Sequence, residues 1–109
     1  MTRVFVDNKN LAVSVQGHSG YGKAGSDIVC AAISILTYAF EKSVQKEEYN
    51  AHCHRDAKNA AFTAECYPVK DARAECAAKL EVLTAGLELL AEEFGEYIRI
   101  EHADLRYGF

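Results

Sequence analysis

Two side chains in the first third of the chain have the types and spacing for nucleophilic chemistry: His18 and, twelve positions on, Cys30. Between them lies a glycine-rich loop, and a strongly apolar helix is predicted to begin near Ser26 or Asp27. Cys30 then falls in the first helical turn, where the positive end of the helix dipole favours the thiolate, the attacking form of a cysteine. His18 leaves the end of the preceding strand and is the candidate base and acid for that thiol. Neither residue signals much alone. A histidine ending a strand is commonly just solvated, and free cysteines are among the most buried side chains. The pairing carries the reading.

The helix that bears Cys30 has two stripes. Val29, Ile33, Leu36, Phe40 and Val44 form its core face, while Cys30, Ser34, Thr37 and Glu41 follow about 100° away on a polar one. A cysteine serving only as filler belongs on the first stripe, and this one lies on the second. The backbone N–H groups from Ile28 to Cys30 are candidate oxyanion donors, because helix N-termini bind anions. Asp27 either orients His18 or caps the helix, roles that are not exclusive. Ser34 either supports the site or is satisfied by the preceding carbonyl. Gly20, Tyr21, Gly22 and Gly25 form a loop able to close over a substrate. Gly20-x-Gly22-x-x-Gly25 formally imitates a dinucleotide fingerprint, but that needs parallel βαβ units and an acidic strand end further on. Gly17 to Lys23 imitates a phosphate loop, but Ala24 stands where a magnesium-binding Ser or Thr belongs.

Positioning these groups takes a small set of elements. Arg3 to Asp7 and Leu11 to Gln16 read as a hairpin whose second strand has one wet face, and it delivers His18 to a sheet edge, where an extended peptide could add as a strand. Tyr49–Arg55 and Ala60–Tyr67 read as a second hairpin, with a turn at Asp56 to Asn59 that pairs Cys53 with Phe62 and Tyr49 with Cys66. Alternation then puts His52 and His54 on the face opposite Cys53, so the three cannot chelate one ion, and no metal is expected. Asp71 is the candidate cap of a second helix over Ala72–Phe94, with Cys76, Leu80, Leu83, Leu87, Leu90 and Phe94 inward. Gly86 suits close helix packing and Gly95 a helix stop. Tyr97 to Glu101 reads as a last strand, and His102 to Phe109 as a tail. The order is β-β-α-β-β-α-β, an α+β fold: a mostly antiparallel sheet with two helices on one face.

The 109 residues suit one domain spanning 1–109. Half of them are hydrophobic and one is proline, which argues against disorder. A net charge of −4 argues against coating nucleic acid. No export signal or membrane span is read, so the expected location is cytoplasmic, and Cys30, Cys53, Cys66 and Cys76 are expected as reduced thiols.

Gly17-His18, Gly20-Tyr21, Gly25 and Asp27-Ile28-Val29-Cys30-Ala31-Ala32-Ile33-Ser34, with their twelve-residue His-to-Cys separation, resemble the signature of the ribosomal-processing cysteine protease Prp, or YsxB-like, family. Ser19 departs from it, since Ala is usual there, as does the composition of Gly22-Lys23-Ala24. The resemblance implies a homodimeric endopeptidase without cofactor, with a Cys-His pair at Cys30 and His18 and a mobile glycine loop. Its implied substrate is a ribosomal protein precursor: the large-subunit protein twenty-seven of bacteria, cut to remove its N-terminal extension. No direct nucleic-acid or membrane contact follows. The residues themselves leave open a thiol-regulated binding module in redox sensing or ribosome assembly, and a thiol enzyme acting on other acyl bonds.

Overall fold

A computed structural model describes residues 1–106. Seven principal elements appear in the expected order: β1 (Thr2–Asp7), β2 (Ala12–Gln16), α1 (Ile28–Ser43), β3 (Ala51–Asp56), β4 (Ala61–Cys66), α2 (Arg73–Glu93) and β5 (Ile98–His102). One five-stranded sheet has the order β3-β4-β2-β1-β5. Its pairings are antiparallel except for β1 with β5, which run parallel. Alternation sends Val4, Val6, Val13, Val15, Phe62 and Ala64 to one side, where they share a core with Val29, Ile33 and Phe40 of α1 and Leu80, Leu83 and Leu87 of α2. Arg3, Gln16, His52 and His54 on the other face are exposed. Both helices therefore cover the same face. Gly86 lets them meet closely, because a Cβ there would come within 2.7 Å of Leu36 Cδ2.

Three expectations give way to tertiary pairing. The strand that ends at His18 is the central one: Gln16 is opposite Arg3 of β1 on one side and Ala61 of β4 on the other. No free edge lies beside His18 for strand addition, and Ala12 and Ser14, expected on a wet face, are buried. In the second hairpin, Cys53 is opposite Ala64 and Ala51 opposite Cys66, a slip of two residues from the expected register. The Asp56 carboxylate accepts the Asn59 backbone N–H at 3.2 Å and its side-chain amide at 2.6 Å, which moves the turn one residue later, to 57–60. An even slip preserves the faces, so the assignment of side chains to sides survives. Asp71 does not cap α2. It lies within a short 3-10 turn, Lys70–Ala72, and Ala72 occupies the cap position with no side-chain bond.

The start of the C-terminal tail is docked. Ala103 N–H donates to the Val6 carbonyl at 3.0 Å, and Leu105 N–H donates to the Asp7 carboxylate at 2.8 Å. The end of the expected tail, residues 107–109, lies outside the described residues.

Candidate active site

The end of β2 is clamped from both neighbours before His18 departs. Gly17 N–H donates to the Ala60 carbonyl, and the Thr2 hydroxyl donates to the Gly17 carbonyl, both at 2.9 Å. Gly17 has φ +90°, and a Cβ there would come within 3.2 Å of the Met1 carbonyl, so the turn that releases His18 needs glycine. His18 itself is exposed.

Asp27 is the N-cap of α1, with extended backbone and its Oδ1 accepting the Cys30 N–H at 2.9 Å. Its other oxygen accepts the Ser19 hydroxyl at 2.7 Å and the Gly22 N–H at 3.1 Å. Burial alone would raise this carboxyl, but the donors from Cys30, Ser19 and Gly22 outweigh it and hold Asp27 well below the usual carboxylate range. Between helix capping and orienting His18, these bonds support capping. They also remove one expected oxyanion donor, because the Cys30 N–H is already engaged. Ile28 and Val29 remain as the first-turn N–H groups of that set.

Cys30 is half-buried in the first turn, as its position in the sequence required. Its sulfur accepts the Ser19 N–H at 3.3 Å and lies 3.4 Å from the Ser19 hydroxyl. The Ser19 oxygen also accepts the Tyr21 N–H at 3.2 Å. Sequence reasoning noted Ser19 only as a departure from a pattern, yet it joins the thiol, the cap and the loop. A loop serine carries no periodic signal by which this role could have been read.

The glycine loop folds around these bonds. Gly20 and Gly25 have φ +78° and +86°. The Tyr21 ring packs edge-on against Phe94 and Tyr97, at centroid separations of 5.4 and 5.2 Å. His18, Gly20, Gly22, Gly25, Asp27, Cys30 and Ser34 all line one cleft of about 590 Å³. Ser34 is exposed one turn beyond Cys30, and its carbonyl accepts the Thr37 hydroxyl at 3.1 Å.

The far wall of the cleft is a second feature not singled out from the sequence. Arg55 of β3 points to the helix side, its guanidinium 3.7 Å from the Tyr38 ring centre and 4.5 Å from that of Phe62. It donates to Thr37 Oγ1 at 3.3 Å and to Glu41 Oε1 at 3.1 Å. The polar stripe of α1 thus has a purpose beyond the thiol: Thr37 and Glu41 satisfy an arginine brought under the helix by the sheet. That stripe was the signal from which a cationic partner could have been inferred.

Elsewhere, the His52 ring packs edge-on against Tyr67 at 5.9 Å, and the Tyr67 hydroxyl donates to Glu65 at 2.7 Å. Among the described residues, no three metal-ligating side chains converge. No helix among them is long and apolar enough to cross a membrane. The dinucleotide reading fails as well, because β2, the strand before the glycine loop, pairs antiparallel with both its neighbours, β1 and β4, where that fold needs a parallel neighbour.

A thiol at a helix mouth, open to a cleft with an imidazole in its wall, is an arrangement suited to nucleophilic thiol chemistry. The model of the cysteine protease Prp family matches residues 1–99, and the chain belongs to that family of cysteine proteases. No match is found among curated proteins. The fold is similar to that of the ribosomal processing protease Prp from S. aureus carrying a covalently linked product peptide. That likeness has TM-score 0.82 and 22% identity, over 94% of this chain and 100% of that one. The S. aureus protease with a substrate peptide matches at TM-score 0.75 and 21% identity, again over 94% and 100%. A protein from Streptococcus mutans matches at 0.74 and 21%, over 94% and 93%.

Proposed function

We propose that this chain is an endopeptidase that matures a ribosomal protein, with Cys30 as nucleophile and His18 as base and acid. In the proposed sequence His18 takes the Cys30 proton, and the sulfur attacks the scissile carbonyl carbon. Collapse of the tetrahedral intermediate breaks the C–N bond, the imidazolium returns its proton to the departing amine, and a thioester remains. Water, deprotonated by His18, then releases the acyl half and restores the thiol. The first-turn N–H groups of Ile28 and Val29 are the proposed donors for the oxyanion.

One observation carries this reading: Cys30 and His18 open onto the same cleft in a chain whose residues 1–99 match the Prp family. The proposed substrate is the N-terminal extension of the bacterial large-subunit ribosomal protein twenty-seven, following the family resemblance and the peptide-bound S. aureus relative. The same resemblance points to a homodimer that needs no cofactor, and the net charge of −4 speaks against direct contact with nucleic acid.

The test is incubation of the purified protein with a peptide covering that extension, read by mass spectrometry. The expected result is a single cut by the wild type and intact peptide with the folded Cys30→Ala and His18→Ala variants. Persistent cutting by Cys30→Ala removes the nucleophile assignment. Retention of uncut peptide by the wild type marks a binding module instead.

A further inference from the structure

Ser19 is the one buried residue in a stretch whose other members, His18 and Gly20 to Ser26, are all exposed. Only 1% of it is accessible, so its hydroxyl has to be satisfied within the protein. The Asp27 carboxylate, 2.7 Å away, can only accept, and a bond to an anion is the strong one, so the Ser19 proton points to Asp27. The remaining lone pairs of Ser19 Oγ receive the Tyr21 N–H and, at 3.4 Å, the Cys30 S–H. A hydrogen bond made by the neutral form of an acid opposes its ionisation. The backbone N–H of the same residue aims at the sulfur from 3.3 Å and favours the charged form.

We propose that Ser19 is a positioning residue whose side chain, its own proton committed to Asp27, accepts the resting Cys30 S–H, while its main chain waits to hold the thiolate. The inference rests on the reading of Cys30 as nucleophile and deepens it. On activation the proton leaves the Sγ–H···Oγ contact for a ring nitrogen of His18, which becomes imidazolium. Ser19 keeps its own proton directed at Asp27, and no other reactant is needed. The site is thereby kept from spending its thiol on adventitious electrophiles until His18 is in place.

Titratable and charged groups lining the cleft are Asp27 at the start of the sulfur's own helix, His18 from the end of β2, and Arg55 and Asp56 from β3 across it. All are present in both wild type and Ser19→Ala, so the comparison reads the loss of the hydroxyl with its bonds to Cys30, Asp27 and Tyr21. The test is the rate at which iodoacetamide alkylates Cys30, located by peptide mass spectrometry, across pH. Near neutral pH, Ser19→Ala is expected to react about fivefold faster, the scale of one net hydrogen bond. By about pH 10.5, where an ordinary thiol is ionised with or without that bond, the two rates are expected to converge. Equal or slower reaction of Ser19→Ala near neutrality overturns the proposal. So does a ratio that persists at high pH, because that reports access to the sulfur and not its proton. Ser19→Gly, which removes the same hydroxyl, answers the question if the alanine variant does not fold. No peptide is involved, so a wild type that cuts nothing refutes the protease reading without deciding this one.

Discussion

Cys66 and Cys76 face each other in the core, Cys53 sits half-buried on the helix side of β3, and Cys30 stands apart at the mouth of α1. Burial pushes the Cys53 thiol up to about 11, with the nearby Glu41 charge adding to it. Burial likewise pushes Cys66 up to about 12, reinforced by Cys76. Cys76 is raised for the same first reason. Such thiols stay neutral at pH 7 and behave as small hydrophobes. Cys30 differs in having an N–H aimed at its sulfur, a hydroxyl beside it, and an open cleft. The same residue type is packing in one region and chemistry in the other. Cys76, the fourth residue of α2, also lies near a helix N-terminus, so what separates the packing thiols from the candidate nucleophile is burial against access to a cleft.

The most forceful way to break that contrast is exchange of single atoms. Cys30→Ser or Cys30→Ala is expected to lower kcat/KM toward the ribosomal peptide by about 10³-fold or more with little change in thermal midpoint. Cys76→Ala is expected to do the reverse: unchanged kcat/KM, with about 1 kcal/mol of stability lost for the vacated buried atom. Denaturant titrations and steady-state kinetics on the same preparations check both. His18→Ala is expected to lower kcat by about 10²- to 10⁴-fold, the range for loss of a general base, with full solubility because the ring is exposed.

The packing side of the contrast is sharpened at Gly86. Substitution by Val drives a side chain into Leu36 and is expected to destabilise by about 1–3 kcal/mol, read from the urea midpoint. A subtler test uses acid. Asp27 is held below its ordinary value in the folded state, so its contribution is complete above the unfolded value of about 3.9 and fades as pH falls beneath it. The stability difference between wild type and Asp27→Asn is therefore expected to shrink between about pH 5 and pH 2. A difference that stays constant over that window contradicts the proposed hydrogen-bonded carboxylate.

Much of this contrast was legible in the sequence. Cys30 lay off the Val29–Ile33–Phe40 stripe and Cys76 lay on the Leu80–Leu87 one, and a 3.6-residue period is a local property that survives folding. The sides of the second hairpin were readable for the same reason, since alternation tolerated a two-residue slip. What was not readable depended on partners distant in the chain. Nothing local says that β2 is flanked by both β1 and β4, so Ser14 reads as wet when it is buried. Nothing local says that Arg55 meets Thr37 and Glu41 of α1. Ser19 is a loop serine until Asp27 and Cys30 close around it.

The central claim is that one thiol of four is the nucleophile, and trapping tests it most directly. A substrate-like peptide bearing a chloromethyl ketone, incubated with the wild-type protein and mapped by mass spectrometry, is predicted to label Cys30 alone and to depend on His18. Label on Cys53, Cys66 or Cys76 with Cys30 untouched contradicts the account.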